Sequence, residues 1–139
     1  MKKKFSTAWK SSSQTRKQRK YMANAPLHIK QKFVAAHLSK ELKKRYKKRS
    51  LKLREGDIVL IMRGQFKKKS GKIIEVDLKR TKVYVEGIDM TKKNGSKVRY
   101  PLHPSNLLIT ELKLDDKMRQ KILTRGKYGA EPSVKTSSS

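Results

Sequence analysis

The residues with acid–base or metal-ligating chemistry are few and scattered. The three histidines, His28, His37 and His103, lie far apart, with no carboxylate at relay or ligand spacing. They make neither a metal set nor a catalytic pair, so no catalytic residue and no metal site is expected. The chain has no cysteine, which excludes a disulfide framework, thiolate-held zinc, an iron–sulfur cluster and a thiol nucleophile. Gly64 to Lys72, GQFKKKSGK, superficially suggests a phosphate-binding loop. However, six residues separate its glycines, Ile73 stands where a magnesium-binding hydroxyl belongs, and a β run follows where a helix is required. It reads as a strand-connecting loop. Asn94-Gly95-Ser96 has the form of a glycosylation sequon but reads as a hairpin turn. Asp115 and Asp116 are adjacent carboxylates best explained by helix capping. No cofactor is expected.

What the chain does carry is cation. Of 139 residues, 38 are Lys or Arg and 11 are Asp or Glu, a formal net charge of +27. Residues 1–50 hold +16 of this, residues 51–114 hold +8 and residues 115–139 hold +3. Same-sign charge on this scale opposes compaction unless a polyanion neutralises it, and Lys/Arg clusters neutralise phosphates and release condensed counterions. The candidate RNA contacts of the basic arm are Arg16, Lys17, Arg19, Lys20, His28, Lys30, Lys32, Lys43, Lys44, Arg45, Lys48 and Arg49. Those of the core are Arg63, Lys67, Lys68, Lys69, Lys72, Arg80 and His103. Tyr21 beside Arg19 and Lys20 suits irregular RNA, where splayed bases stack. No helix-turn-helix, zinc-finger or basic-zipper pattern favours DNA, and the aromatic-rich sheet of an RNA recognition motif is missing.

The elements that must position these residues follow from patterning. Residues 1–24 are too polar to bury a core and are expected to be irregular until a partner orders them. Residues 26–37 are read as a short helix with Pro26 at its start and Ile29 and Phe33 on one stripe. Ser39 is expected to cap a second helix through Tyr46. Strands are expected over Asp57–Met62, through Ile74, Val76 and Leu78, through Val83 and Val85, on either side of the Asn94-Gly95 turn, and over Asn106–Leu112. A helix opened by Asp115-Asp116 should present Met118 and Ile122 and end at Gly126 as its C′ residue. The organisation is then a basic arm over 1–50, a mainly β domain over 51–114 shaped as a small antiparallel barrel, a helix over 115–126, and a flexible Ser-rich tail over 127–139. The longest apolar run is Ile58-Val59-Leu60-Ile61-Met62, far short of the roughly 20 residues a membrane span needs. No apolar stretch follows Met1-Lys2-Lys3-Lys4, so a signal peptide is not expected; the chain reads as soluble and intracellular.

Arg54 to Leu78, REGDIVLIMRGQFKKKSGKIIEVDL, resembles the KOW motif: a strand, a loop and a second strand, with a glycine that here is Gly71. The flanks share the resemblance: Arg16-Lys17-Gln18-Arg19-Lys20, Ala25-Pro26-Leu27-His28, Leu38-Ser39-Lys40-Glu41-Leu42 and Arg49-Ser50-Leu51 before it, and Lys82 to Gly87 and His103-Pro104-Ser105-Asn106 after it. Over about residues 14–125 the chain is similar to the universal KOW-containing family of the large ribosomal subunit, numbered twenty-four in bacteria and twenty-six in eukaryotes. The resemblance implies an SH3-like barrel, binding to the 5′ region of large-subunit ribosomal RNA, a role early in subunit assembly, a place near the peptide exit tunnel, and neighbouring ribosomal proteins as partners in the cytoplasm. It implies no enzyme activity, no membrane and no homo-oligomer. The arm with its short helices is a feature of the archaeal and eukaryotic forms, and the lack of a long Lys-rich C-terminal extension favours an archaeal source. Two rival readings are a KOW-type transcription elongation factor, which should carry an α/β domain that residues 1–50 are too basic to supply, and a basic architectural nucleic-acid binder.

Overall fold

Alternating burial marks the strands. In this computed structural model, which describes residues 12–125 together with Phe5, Ser6 and Ala8, the chain runs α1 (Thr15–Asn24), α2 (Leu27–Phe33), β1 (Ala35–Leu38), α3 (Lys40–Tyr46), β2 (Ser50–Lys52), β3 (Ile58–Ile61), β4 (Ser70–Asp77), β5 (Lys82–Val85), β6 (Asp89–Thr91), β7 (Lys97–Arg99), a 3₁₀ turn (Pro104–Asn106), β8 (Leu107–Glu111) and α4 (Lys117–Thr124). β1, β3 and β5 each bury every second residue, and β8 begins the same way. These inward side chains form one core containing Leu38, Val59, Ile61, Ile73, Val83, Val85, Leu107 and Ile109. Fully burying one such aliphatic side chain stabilises by about 1.5–3 kcal/mol.

Six strands make one sheet in the order β2-β1-β8-β3-β4-β5, and β6 and β7 pair separately as the expected Asn94-Gly95 hairpin. The domain is therefore mostly β with four helices, as patterning indicated in outline, but the strands do not close into a barrel. Nor is the sheet wholly antiparallel, because β1 runs parallel to β8 with His37 opposite Leu108.

Four local expectations are corrected. Residues 15–24 form a helix with no buried residue of its own; Tyr21 rests against Phe5 and Phe33, with ring centroids at 4.8 and 6.0 Å. The helix expected over 26–37 stops at Phe33, and Ala35–Leu38 is a strand inside the sheet, because Ala36 and Leu38 gain full burial between β2 and β8. In β4 the inward residue is Ile73, while Ile74 is 38% exposed, since a bulge between Ile73 and Glu75 shifts the alternation. Finally, α4 turns Arg119 and Leu123 inward and leaves Met118 61% exposed. Gly126 and the tail over 127–139 lie outside the described residues.

The reason for that last rotation is a buried ion pair. Asp57 is 0% and Arg119 2% exposed. Arg119 Nη1 and Nη2 each donate to one oxygen of the Asp57 carboxylate at 2.6 Å. The same guanidinium donates to the Lys113 and Lys52 carbonyls at 2.8 and 3.3 Å. The carboxylate also accepts from the main-chain N–H groups of Arg54 and Lys113, both at 3.0 Å. A charge removed from water is tolerated only when its bonding sites are filled in this way. Gly56, at φ +91°, makes the turn that presents Asp57. At α4's start, Asp116 accepts from Met118 N–H at 2.7 Å and pairs with Arg54; that backbone bond and the Arg54 guanidinium hold its carboxyl below the ordinary aspartate range.

Candidate nucleic-acid interface

The β3–β4 loop is a short, bonded structure that carries a cluster of cations. Lys67 N–H donates to Gly64 O, Lys68 N–H to Ile61 O and Lys69 N–H to Phe66 O, at 3.1, 2.9 and 3.1 Å. Lys68 sits in left-handed backbone at φ 72°. Arg63, Lys67, Lys68, Lys69 and Lys72 are all exposed. Phe66 is half-buried against the core, edge-on to Tyr100 at 5.1 Å, and carries Lys69 Nζ 5.4 Å from its ring centre. That contact stabilises the ammonium at the surface. Gly71 follows because nothing larger fits: a Cβ there would stand 2.7 Å from Glu86 O and 2.8 Å from a Val85 methyl.

The structure sets the 3₁₀ turn that His103 precedes beside this loop. Met62 N–H, at the loop's start, donates to Asn106 O at 2.8 Å, which fixes the 3₁₀ turn beside it. His103 Nδ1 accepts from the Ser105 main-chain N–H at 3.3 Å and meets its hydroxyl at 2.8 Å. Partial burial, and secondarily the nearby Lys82 ammonium, hold the imidazole below its ordinary pKa. With Nδ1 occupied as acceptor, the neutral ring offers its Nε2–H outward as a donor. Lys82 was not among the sequence candidates; twenty-one positions separate it from His103, and only the Val83–Leu102 pairing joins the two segments.

A second basic face forms where α2 meets the β4–β5 turn. Lys30 Nζ donates to Lys79 O at 3.1 Å, so this candidate serves as a brace between the two. Lys32 and His28 are exposed on α2, as is Arg80 on the turn, 3.9 Å from Asp77. On α1, Arg16, Lys17, Arg19 and Lys20 are all exposed. Ser39 caps α3 as expected, accepting from Leu42 N–H at 3.3 Å. Lys44 and Arg45 are exposed there and Lys43 half-buried, with Arg45 5.4 Å from the Tyr46 ring centre. Arg49 is exposed, whereas Lys48 is half-buried and donates to Ile122 O, so it ties the chain before β2 to α4.

Among the described residues, no group of three or more His, Asp or Glu side chains could hold a metal ion, and no helix is long and apolar enough to cross a membrane. Arg80 alone of the candidate cations lies within ion-pair distance of a carboxylate among the described residues. The interface is thus a set of mostly exposed cations that, Arg80 excepted, lack carboxylate partners among the described residues, and it can bind a polyanion by charge and shape. Over residues 12–126 the sequence matches the family of ribosomal proteins described as L26 in eukaryotes and L24 in archaea, and the chain belongs to this family of large-subunit ribosomal proteins.

Proposed function

We propose that the protein binds large-subunit ribosomal RNA in its 5′ region, acts early in subunit assembly, and sits near the peptide exit tunnel beside other ribosomal proteins, with no reaction of its own. The observation that carries this reading is the lack of carboxylate partners for the candidate cations, Arg80 excepted, among the described residues. On folding grounds alone such charge is repulsive; against RNA it is the source of affinity. The β3–β4 loop with His103 forms a rigid edge that reads RNA by phosphate contacts and shape. The α1 and α2 cations reach along a neighbouring RNA segment. The nineteen residues nominated from the sequence remain the contact set, with Lys30 and Lys48 acting as braces and Lys82 added.

The test is a salt titration of binding to a large-subunit RNA fragment from the 5′ region, against duplex DNA of equal length. The triple change Lys67→Ala, Lys68→Ala, Lys69→Ala should lower the magnitude of the log–log salt slope by about 2–3. An unchanged slope, or equal affinity for the duplex DNA, would overturn the proposal.

A further inference from the structure

One edge of the six-stranded sheet is uncovered among the described residues. The outer side of β5 is taken by Leu102, whose N–H and C=O exchange bonds with Val83 at 2.9 Å. By contrast, β2 pairs only with β1. The bonds joining that pair pass through Arg49 and Leu53, at 3.1 Å to Leu38 N–H and 3.2 Å from Val34 O. Alternation in an antiparallel pair then turns the main-chain groups of Ser50 and Lys52 away from β1. Arg119 takes the Lys52 carbonyl. The Ser50 N–H and C=O and the Lys52 N–H are left as an open edge.

Beside this edge lies a groove of about 790 Å³. Its apolar lining comes from Leu51, Leu53, Val76, Leu78 and Ile122 of α4. Lys48, Lys52, Arg54 and Glu55 also line it; Arg54 is paired with Asp116 and Lys48 is bonded to Ile122 O, whereas the exposed Lys52 ammonium donates only to the Gln31 side-chain oxygen, at 3.3 Å. Arg119 also lines it, and the Nε–H of that side chain is buried with no acceptor among the described residues, although its other nitrogens are well bonded.

These features together select the chemistry of an occupant. An open strand edge takes an extended chain. Aliphatic walls take branched side chains presented at every second position. No aromatic residue lines the groove, so it offers no platform on which a nucleotide base could stack. The exposed Lys52 ammonium beside the open edge favours a carboxylate.

We propose that this groove receives an extended segment of a neighbouring protein, aliphatic at alternate positions and bearing carboxylates, which adds a strand to β2. The proposal rests on membership of a large-subunit family for where such a neighbour is met, and it does not depend on which RNA the basic faces contact.

The test places a photo-crosslinking benzoylphenylalanine at Ile122, which is 39% exposed on the groove wall. Large subunits are isolated first, and sedimentation of the variant with them checks the ribosomal reading separately. On irradiation the expected product is an adduct with a segment of another protein, identified by mass spectrometry as carboxylate-bearing with alternating aliphatic residues. Lys52→Glu in the same chain should lower the adduct yield about tenfold, because it replaces attraction by like-charge repulsion. An adduct with RNA, an adduct with the chain's own residues 126–139, or no adduct when the same probe at Lys68 gives one, would each overturn the proposal.

Discussion

Replacing Arg119 by Leu should be among the most damaging single changes in the molecule. Three consequences follow at once. The Asp57 carboxylate, fully buried, loses both of its 2.6 Å charged bonds and keeps only the Arg54 and Lys113 amides. The carbonyls of Lys113 and Lys52 lose their donor. The tie between α4 and the sheet is reduced to the packing of Leu123, the Lys48–Ile122 bond and the Arg54–Asp116 pair. Removing one partner of a buried pair costs about 3–5 kcal/mol, a large part of the roughly 5–15 kcal/mol that holds a domain together. Arg119→Lys should cost less but remain destabilising, since one ammonium cannot serve two carboxylate oxygens and two carbonyls. The informative variant is the double change Asp57→Leu, Arg119→Leu. Where only a pair of opposite charges is at stake, an apolar pair can restore stability. Here it should not, because the Arg54 and Lys113 N–H groups are then buried without acceptors, at about 1–3 kcal/mol each. Urea unfolding followed by circular dichroism at fixed ionic strength reads all three variants. A loss below about 1 kcal/mol in Arg119→Leu lies outside the range for a broken buried pair, and near-wild-type stability in the double variant would mean that the two amides need no buried acceptor; either would refute the reasoning.

Gly71→Ala should destabilise the fold by about 1–3 kcal/mol, because the added methyl meets backbone at Glu86 and a Val85 side chain that are themselves packed; thermal unfolding measures this. Removing residues 1–24 takes away eight Lys or Arg residues but no buried residue among those described, so the remaining chain should keep its melting temperature within a few degrees while the salt slope of RNA binding falls. For His103, the lowered pKa means that the folded state binds the proton less readily than the unfolded chain. Stability should therefore fall as the pH drops below about 6.5, and be unaffected by this group above that value. Lys82→Ala should move the imidazole pKa upward in an NMR titration, and a downward move would contradict the assigned electrostatics.

Sequence patterning located the elements whose signals are local. Val83 and Val85, the Asn94-Gly95 turn, the Ser39 cap and a loop beginning at Gly64 all declare themselves within a few residues; the loop expected over Gly64–Lys72 is shorter, because Ser70–Lys72 already pair with β3 as the start of β4. The misreadings share a cause of opposite kind. Ala35–Leu38 looks like the end of a helix, and only partners at Ser50–Lys52 and Leu107–Ile109 make it a strand. On α4, Met118 and Ile122 are the natural apolar pair, but a buried carboxylate from another segment rotates the helix to bring Arg119 inward. Barrel closure was inferred from strand number and spacing, which do not specify whether the end strands meet. Lys82 beside His103 was invisible for the same reason: the pairing of Val83 with Leu102 is a tertiary event.

The parallel pairing of β1 with β8 also governs when the molecule can exist. His37 meets Leu108 across 71 positions of chain, and β8 is the strand that joins β1 to β3. Neither half of the sheet can be completed from its own sequence, and closing so long a loop must precede the reward of the contacts it allows. During synthesis the first fifty residues, with seventeen of the cations, therefore emerge before the strand that seats β1 has been made. For that interval β1 has no seat in the sheet, and the most basic part of the chain can meet an anion first, so that RNA can act as a template for the fold as well as its destination.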